Sequence, residues 1–210
     1  MEKKIRTVFS PVESEKIIER SRFLTYSAHV ESEEEARAFI AQIRAQHSLA
    51  THVCYAFIAD KQGNLQRFSD DGEPQGTAGI PILEVLKNKG LYETAVAVVR
   101  YFGGVKLGAG GLVRAYSSAA AENLDGADIR VLQTCVEYAI EVDYTGIDGV
   151  QKYISSHTCR LLSTDYGEKV RFVVAVKKTE EEGFFADLVD YMQGRVKMQK
   201  QGEYYSAFQE

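Results

Sequence analysis

The chain has 210 residues, 45% of them apolar, 26% charged and 10% aromatic. This is ordinary globular composition, long enough for one large domain or two small ones, and it excludes collagen, coiled coil and whole-chain disorder. Its net charge of −5 comes from 25 basic and 30 acidic residues and counts against a protein that coats nucleic acid non-specifically. A local basic patch remains compatible with that total.

No apolar run approaches the roughly 18 residues of a membrane helix, and no apolar stretch follows the charged start at Glu2–Arg6, so neither a membrane anchor nor a secretory signal is expected. Cys54, Cys135 and Cys159 are odd in number and show no CxxC spacing. They argue against a disulfide framework or structural zinc and fit a reducing cytoplasm.

Residues 16–30 read as extended. Ser32 and Glu35 form a capping box, and the helix they open places Ala36, Phe39, Ile40, Ile43 and His47 on one face. Residues 52–59 are apolar on both faces and predict a central strand. A turn at Gly63-Asn64 leads to a short strand over 65–68. Pro81 suits the first turn of a helix ending near Gly90. Residues 94–102 predict a buried strand and 110–124 an Ala-rich helix. The turn at residues 125–128 then marks the boundary, giving domains 1–132 and 133–210. Up to residue 132 there are 16 basic and 17 acidic residues, against 9 and 13 after it, so the first domain is the better place for an anionic partner.

Past the boundary, Val136, Tyr138, Ile140 and Val142 alternate with polar or small residues, as in a strand with one buried face. A helix carrying Ile147, Val150 and Ile154 follows, then strands over 158–164 and 170–177. Thr179 and Glu182 predict the cap of a second helix burying Phe185, Leu188, Val189 and Met192, and a strand over 196–204 closes the chain. The order βαββαβ is the ferredoxin-like pattern. The fold class is therefore α+β, built as two sandwiches.

The segment with the clearest chemistry runs from Arg100 to Arg114. A buried strand ends, five glycines (Gly103, Gly104, Gly108, Gly110, Gly111) fall within nine residues, and a helix begins. Glycines let a ligand approach the backbone closely, and the free N–H groups of a helix start favour an anion. Arg100, Lys106 and Arg114 place three cations around that point. Together they predict a phosphate site, although the spacing is neither GxxxxGK[ST] nor GxGxxG. A second Gly-rich loop spans residues 68–81. Its Asp70, Asp71 and Glu73 could hold a hard cation such as Mg²⁺. Asp-Gly and Glu-Pro are also plain turn chemistry, so the first reading is a shaped loop beside the phosphate site, with no metal and no cofactor assigned. Thr77 offers that site a hydroxyl. His52 and Cys54 share one strand face that continues into Ala56 and Ile58, which reads as core with His52 at the edge near the glycine loops. Tyr204, Tyr205 and Phe208 could stack on bases, but read first as aromatics of an edge strand.

Ser21-Arg22-Phe23, Thr51-His52, the stretch from Asp70 through Gly79 and the segment from Arg100 to Arg114 resemble the IMPACT family, in its bacterial two-domain YigZ/YvyE branch. The resemblance covers both halves of the chain. It implies an N-terminal domain like domain 2 of ribosomal protein S5 and a ferredoxin-like C-terminal domain, similar to the last two domains of elongation factor G. Eukaryotic relatives regulate translation by blocking activation of a kinase that phosphorylates an initiation factor, partly through a separate RWD domain, and that partner is not carried over. For the bacterial branch the resemblance implies RNA or ribosome binding. It points to Arg22, His52, Arg100, Lys106 and Arg114 with the five glycines.

The leading expectation is thus a cytoplasmic, non-enzymatic translation-associated protein holding RNA or a ribosomal surface through phosphates. One alternative is a nucleotide-binding protein or small-molecule phosphotransferase, using Leu107–Leu112 with Ser117 and Ser118 as the phosphate loop and Mg²⁺ on Asp70, Asp71 and Glu73. Another is a protein-interaction module, to which the acidic second domain would contribute.

Overall fold

The computed structural model describes residues 4–208, which divide into two compact units, one running to Val131 and the other from Leu132 to Phe208. The first contains β1 (Ile5–Val8), β2 (Val12–Ile18), β3 (Ser21–His29), α1 (Glu33–Gln46), β4 (His52–Ile58), β5 (Gln66–Ser69), α2 (Gly79–Asn88), β6 (Thr94–Tyr101) and α3 (Gly108–Asp125). The long strand β7 (Ile129–Val142) leads into the second, followed by α4 (Ile147–Ser156), β8 (Cys159–Tyr166), β9 (Val170–Lys177), α5 (Glu181–Tyr191) and β10 (Lys197–Phe208).

The first sheet is antiparallel, in the order β2-β3-β6-β4-β5. Central strands β6 and β4 are buried on both faces, as their continuous apolar runs require. Cys54, Ala56, Ile58, Val96 and Val98 pack against α2 and α3. The alternate residues Val53, Phe57, Ala95, Ala97 and Val99 pack against α1 on the opposite face. The Ser32 cap of α1 forms as its spacing requires: Ser32 Oγ accepts from the Glu35 N–H at 3.1 Å, and Glu35 Oε2 accepts from the Glu31 N–H at 2.8 Å.

Residues 16–30 form not one extended stretch but a hairpin, β2 with β3, turned at Glu19 and Arg20. Both turn residues hold positive φ (44° and 66°). A turn made without Gly, Asn or Asp leaves no compositional mark.

In the second unit β7 lies between β9 and β10, with β8 beyond β9. Val136, Tyr138, Ile140 and Val142 face α4 and α5, as the alternation predicts. The order β10-β7-β9-β8 is ferredoxin-like, and the first unit has the S5 domain-2-like architecture. One detail differs. Helix α5 buries Phe184 and leaves Phe185 exposed, and it starts from a 3-10 turn at Lys178–Glu180 with no side-chain cap from Thr179. Tyr204 and Tyr205 lie on β10, and the Phe208 side chain lies outside the described residues. Among the described residues no helix is long and apolar enough to cross a membrane.

Candidate functional site

Strands β3, β4 and β6 bring Phe23, His52 and Arg100 into register at one end of the first sheet. The chain then leaves β6 through Phe102 and Gly103. Gly103 fits because it has no side chain: a Cβ there would stand 2.0 Å from the carbonyl oxygen of Arg20 in the hairpin turn. The next glycine, Gly104, has φ of 85° and open space around it. Helix α3 starts at Gly108 with no side-chain cap on its first turn, so its leading N–H groups face outward.

Two hollows flank this start. One, of about 440 Å³, is lined by His52, Glu73, Arg100, Phe102, Lys106 and Gly108, among others. The second, of about 550 Å³, is lined by Ile18, Glu19, Lys106, Gly111, Arg114 and Ser118, among others. Lys106 belongs to both and is exposed. The candidate cations are therefore distributed: Arg100 to the first hollow, Arg114 to the second, Lys106 between them.

Arg100 is only 5% exposed. Its Nη1 donates to Glu73 Oε1 at 2.7 Å and its Nη2 to Ser21 Oγ at 3.2 Å. Tyr116 Oη, from α3, also donates to Glu73 Oε1, at 2.8 Å. The Arg100 guanidinium lies 5.5 Å from the ring centroids of both Phe23 and Phe102. Arg100 and Glu73 together form a buried ion pair whose charges cancel, so the net positive charge of the first hollow rests on Lys106 and the helix start. Below them, Cys54 Sγ lies 3.0 Å from the Asp70 carbonyl and 3.4 Å from Tyr116 Oη. Burial pushes its thiol up to about 12, and burial drives the Tyr116 phenol further still above its ordinary range. Neither is a nucleophile at neutral pH.

His52 donates from Nδ1 to the Asp71 carbonyl at 2.8 Å, which turns Nε2 toward Glu73 Oε2 at 3.9 Å. The loop that supplies Glu73 is held by its other two carboxylates. Asp70 accepts from the N–H groups of Gly76 (2.8 Å), Ala78 (3.0 Å) and Gly79 (2.8 Å), closing the start of α2. Asp71 Oδ2 accepts from the Val53 N–H at 2.7 Å, and Arg44 pairs with the same carboxylate. Burial opposes ionisation of Asp70, but its three backbone donors outweigh it and hold the carboxyl below 3.8. Asp70→Ala should therefore cost about 1–2 kcal/mol at neutral pH by removing this cap. A depressed carboxyl stabilises fully above its unfolded value of 3.8 and loses that effect as pH falls through its folded value. Urea unfolding at pH 7 and at pH 3 should show the gap between variant and wild type shrinking in acid.

The remaining candidates lie apart from the first hollow. Arg22 is exposed on β3 and paired with Glu15 at 2.8 Å. Thr77 is buried, and its hydroxyl donates to the Pro74 carbonyl at 2.6 Å. Gly110 lies under Arg114, and Gly111 packs on Leu107. The partners that sequence reasoning missed are Tyr116 and Ser21, together with the pairing role of Glu73. The one available signal was a tyrosine among the alanines of a buried helix face.

The chain matches the Impact N-terminal domain over residues 19–124 and a domain of unknown function (DUF1949) over residues 140–195. It is 38% identical over 197 residues to IMPACT family member YvyE of Bacillus subtilis, covering 94% of this chain and 90% of that protein. Against IMPACT family member YigZ of Escherichia coli the identity is 35% over 191 residues, with coverage of 90% and 94%. A Thermus thermophilus protein named "IMPACT family member in pol 5'region" is 44% identical over 181 residues, with coverage of 86% and 98%. A solved structure titled "Crystal structure of an hypothetical protein" superposes with a TM-score of 0.62 at 33% identity, covering 96% of this chain and 98% of that one. With one domain model spanning half its length and relatives matched nearly end to end, the chain belongs to the IMPACT family.

Proposed function

We propose that the chain is a cytoplasmic, non-enzymatic regulator of translation that binds RNA or a ribosomal surface through the N-terminal unit. Membership of the IMPACT family supports the translation-related regulatory role. The observation that carries the binding site is a convergence on one open hollow: exposed Lys106, the uncapped start of α3, and the ring of Phe102, 47% exposed. A phosphate is held by the helix N–H groups and the ammonium, and an unpaired base stacks on the ring. His52 lies in the wall, and Arg100 fixes the floor while adding little net charge. Lys106 also lines the second hollow, where Arg114 and Gly111 accept a neighbouring phosphate.

The test is fluorescence anisotropy of the full chain with a labelled, loop-containing RNA across a salt series. Lys106→Ala should weaken binding about fivefold and lower the slope of log K against log salt by about 1. Lys152→Ala, in the second unit, is the control. Equal binding by Lys106→Ala and wild type removes this site. The phosphotransferase alternative would have to use carboxylates already held by backbone N–H groups and by Arg44 and Arg100. Saturable thermal stabilisation by ATP with Mg²⁺ would favour it over RNA binding.

A further inference from the structure

At the far end of the same sheet, where β3 finishes and β6 begins, three side chains with metal-ligating chemistry meet. His29 and Glu31 come from the end of β3 and the residues after it, and Glu93 immediately precedes β6. One ligand atom of each lies within 4.8 Å of the other two. Glu93 is 3% exposed, and its Oε2 is buried with no hydrogen-bond partner. A carboxylate taken from water without compensation costs several kcal/mol, so an orphan oxygen of this kind calls for a cation.

The hydrogen bonds around His29 fix which ring nitrogen faces the cluster. Thr94 Oγ1 spends its proton on the Tyr92 carbonyl at 2.8 Å. Thr7 Oγ1 has one proton and two acceptors for it, the Glu93 carbonyl at 2.9 Å and Thr94 Oγ1 at 3.2 Å. His29 Nδ1 lies 2.9 Å from the Thr7 oxygen, which would accept from Nδ1–H when Nε2 binds an ion. Without an ion, Nε2–H donates to Glu31 Oε1 at 3.1 Å, because a carboxylate only accepts, and a metal ion would take the place of that hydrogen. An oxygen that accepts from Nδ1–H while Nε2 ligates is the usual outer support of a metal-bound histidine, and Thr7 Oγ1 is placed to serve as one.

We propose that His29, Glu31 and Glu93 form a site for a divalent transition-metal ion of the Zn²⁺ class. One imidazole nitrogen and two carboxylates suit such an ion better than Mg²⁺ or Ca²⁺, which favour all-oxygen shells. The 3.1 Å separation of His29 Nε2 and Glu31 Oε1 is close to that of two ligands each about 2 Å from one ion. Glu31 is 66% exposed and leaves an entry route, while Glu93 supplies a fixed inner wall. The site ties the end of β3 to the start of β6 and is independent of RNA binding.

The test is a Zn²⁺ titration of the chelator-treated full chain in competition with a chromophoric chelator. Wild type should bind one ion per chain, and Glu31→Gln and Glu93→Gln should each weaken it at least about tenfold. Thr7→Val, which removes only the outer support, should cost about tenfold. His157→Gln, close to Cys159, should change nothing. Co²⁺ in place of Zn²⁺ should give visible absorption without a thiolate charge-transfer band. Should Glu93→Gln fail to fold, Glu31→Gln at its exposed position carries the test alone. Equal Zn²⁺ affinity in wild type and Glu31→Gln, or a thiolate band with Co²⁺, overturns the site and leaves His29 simply hydrogen-bonded to Glu31.

Discussion

Arg100→Ala should destabilise the N-terminal unit by about 3–5 kcal/mol, the range for breaking a buried ion pair by removing one partner. The loss exceeds what the bond itself contributes, because Glu73 stays behind with a charge and too few donors. Its side chain is 4% exposed, so water cannot replace the guanidinium without opening the floor of the hollow. Removing both charges is the sharper comparison. Arg100→Met with Glu73→Leu should recover much of the loss, since a buried pair exchanged for apolar groups of similar volume is often neutral. Urea unfolding of the two variants measures the difference. A loss below about 1 kcal/mol for Arg100→Ala would mean that water reaches Glu73 freely.

Gly103→Ala is the second large effect, expected at about 1–3 kcal/mol from overpacking. The added methyl would meet the main chain of Arg20 and Ser21, which cannot rotate away as a side chain can. Either the β2–β3 turn or the start of the glycine segment must shift. The second outcome displaces Lys106, so the variant should also lose RNA affinity under the conditions used for Lys106→Ala. Gly104→Ala is the internal comparison. Its methyl meets nothing within 4 Å, so only the positive φ costs, about 1 kcal/mol. Equal stability of the two variants, by thermal or urea unfolding, would contradict the close approach at Gly103.

Local patterns in the sequence carried most of the fold. The doubly apolar runs of β4 and β6, the Ser32 cap and the alternation from Val136 to Val142 are each set by neighbours within a few residues. The hairpin at Glu19-Arg20 escaped because its turn is imposed by the sheet and by Gly103, 83 residues after Arg20, rather than by turn-forming residues. Phe184 and Phe185 are adjacent, so one helical step decides which is buried, and the 3-10 turn before α5 sets that step. The site was legible in its parts and not in its pairing. Arg100 looks from sequence like a cation beside a glycine turn. Its counter-ion arrives from a loop 27 residues earlier and a third partner from the helix after it. Of the five glycines, Gly103 answers to backbone packing and Gly108 to the opening of a helix, a division that spacing alone cannot reveal. The cluster of His29, Glu31 and Glu93 escaped for the same reason, since 62 residues separate its last two members.

The two border strands of the first sheet, β2 and β5, bear on how this protein can meet another polypeptide. β2 carries Glu13, Glu15 and Lys16 along its length, and β5 is only four residues long. A charged border and a stunted one both discourage annexation of a foreign strand. A polypeptide recognised by this unit must therefore dock on its loops or helix ends instead of extending the ladder. For the same reason, crowding many copies together should not zip them into fibrils through this sheet.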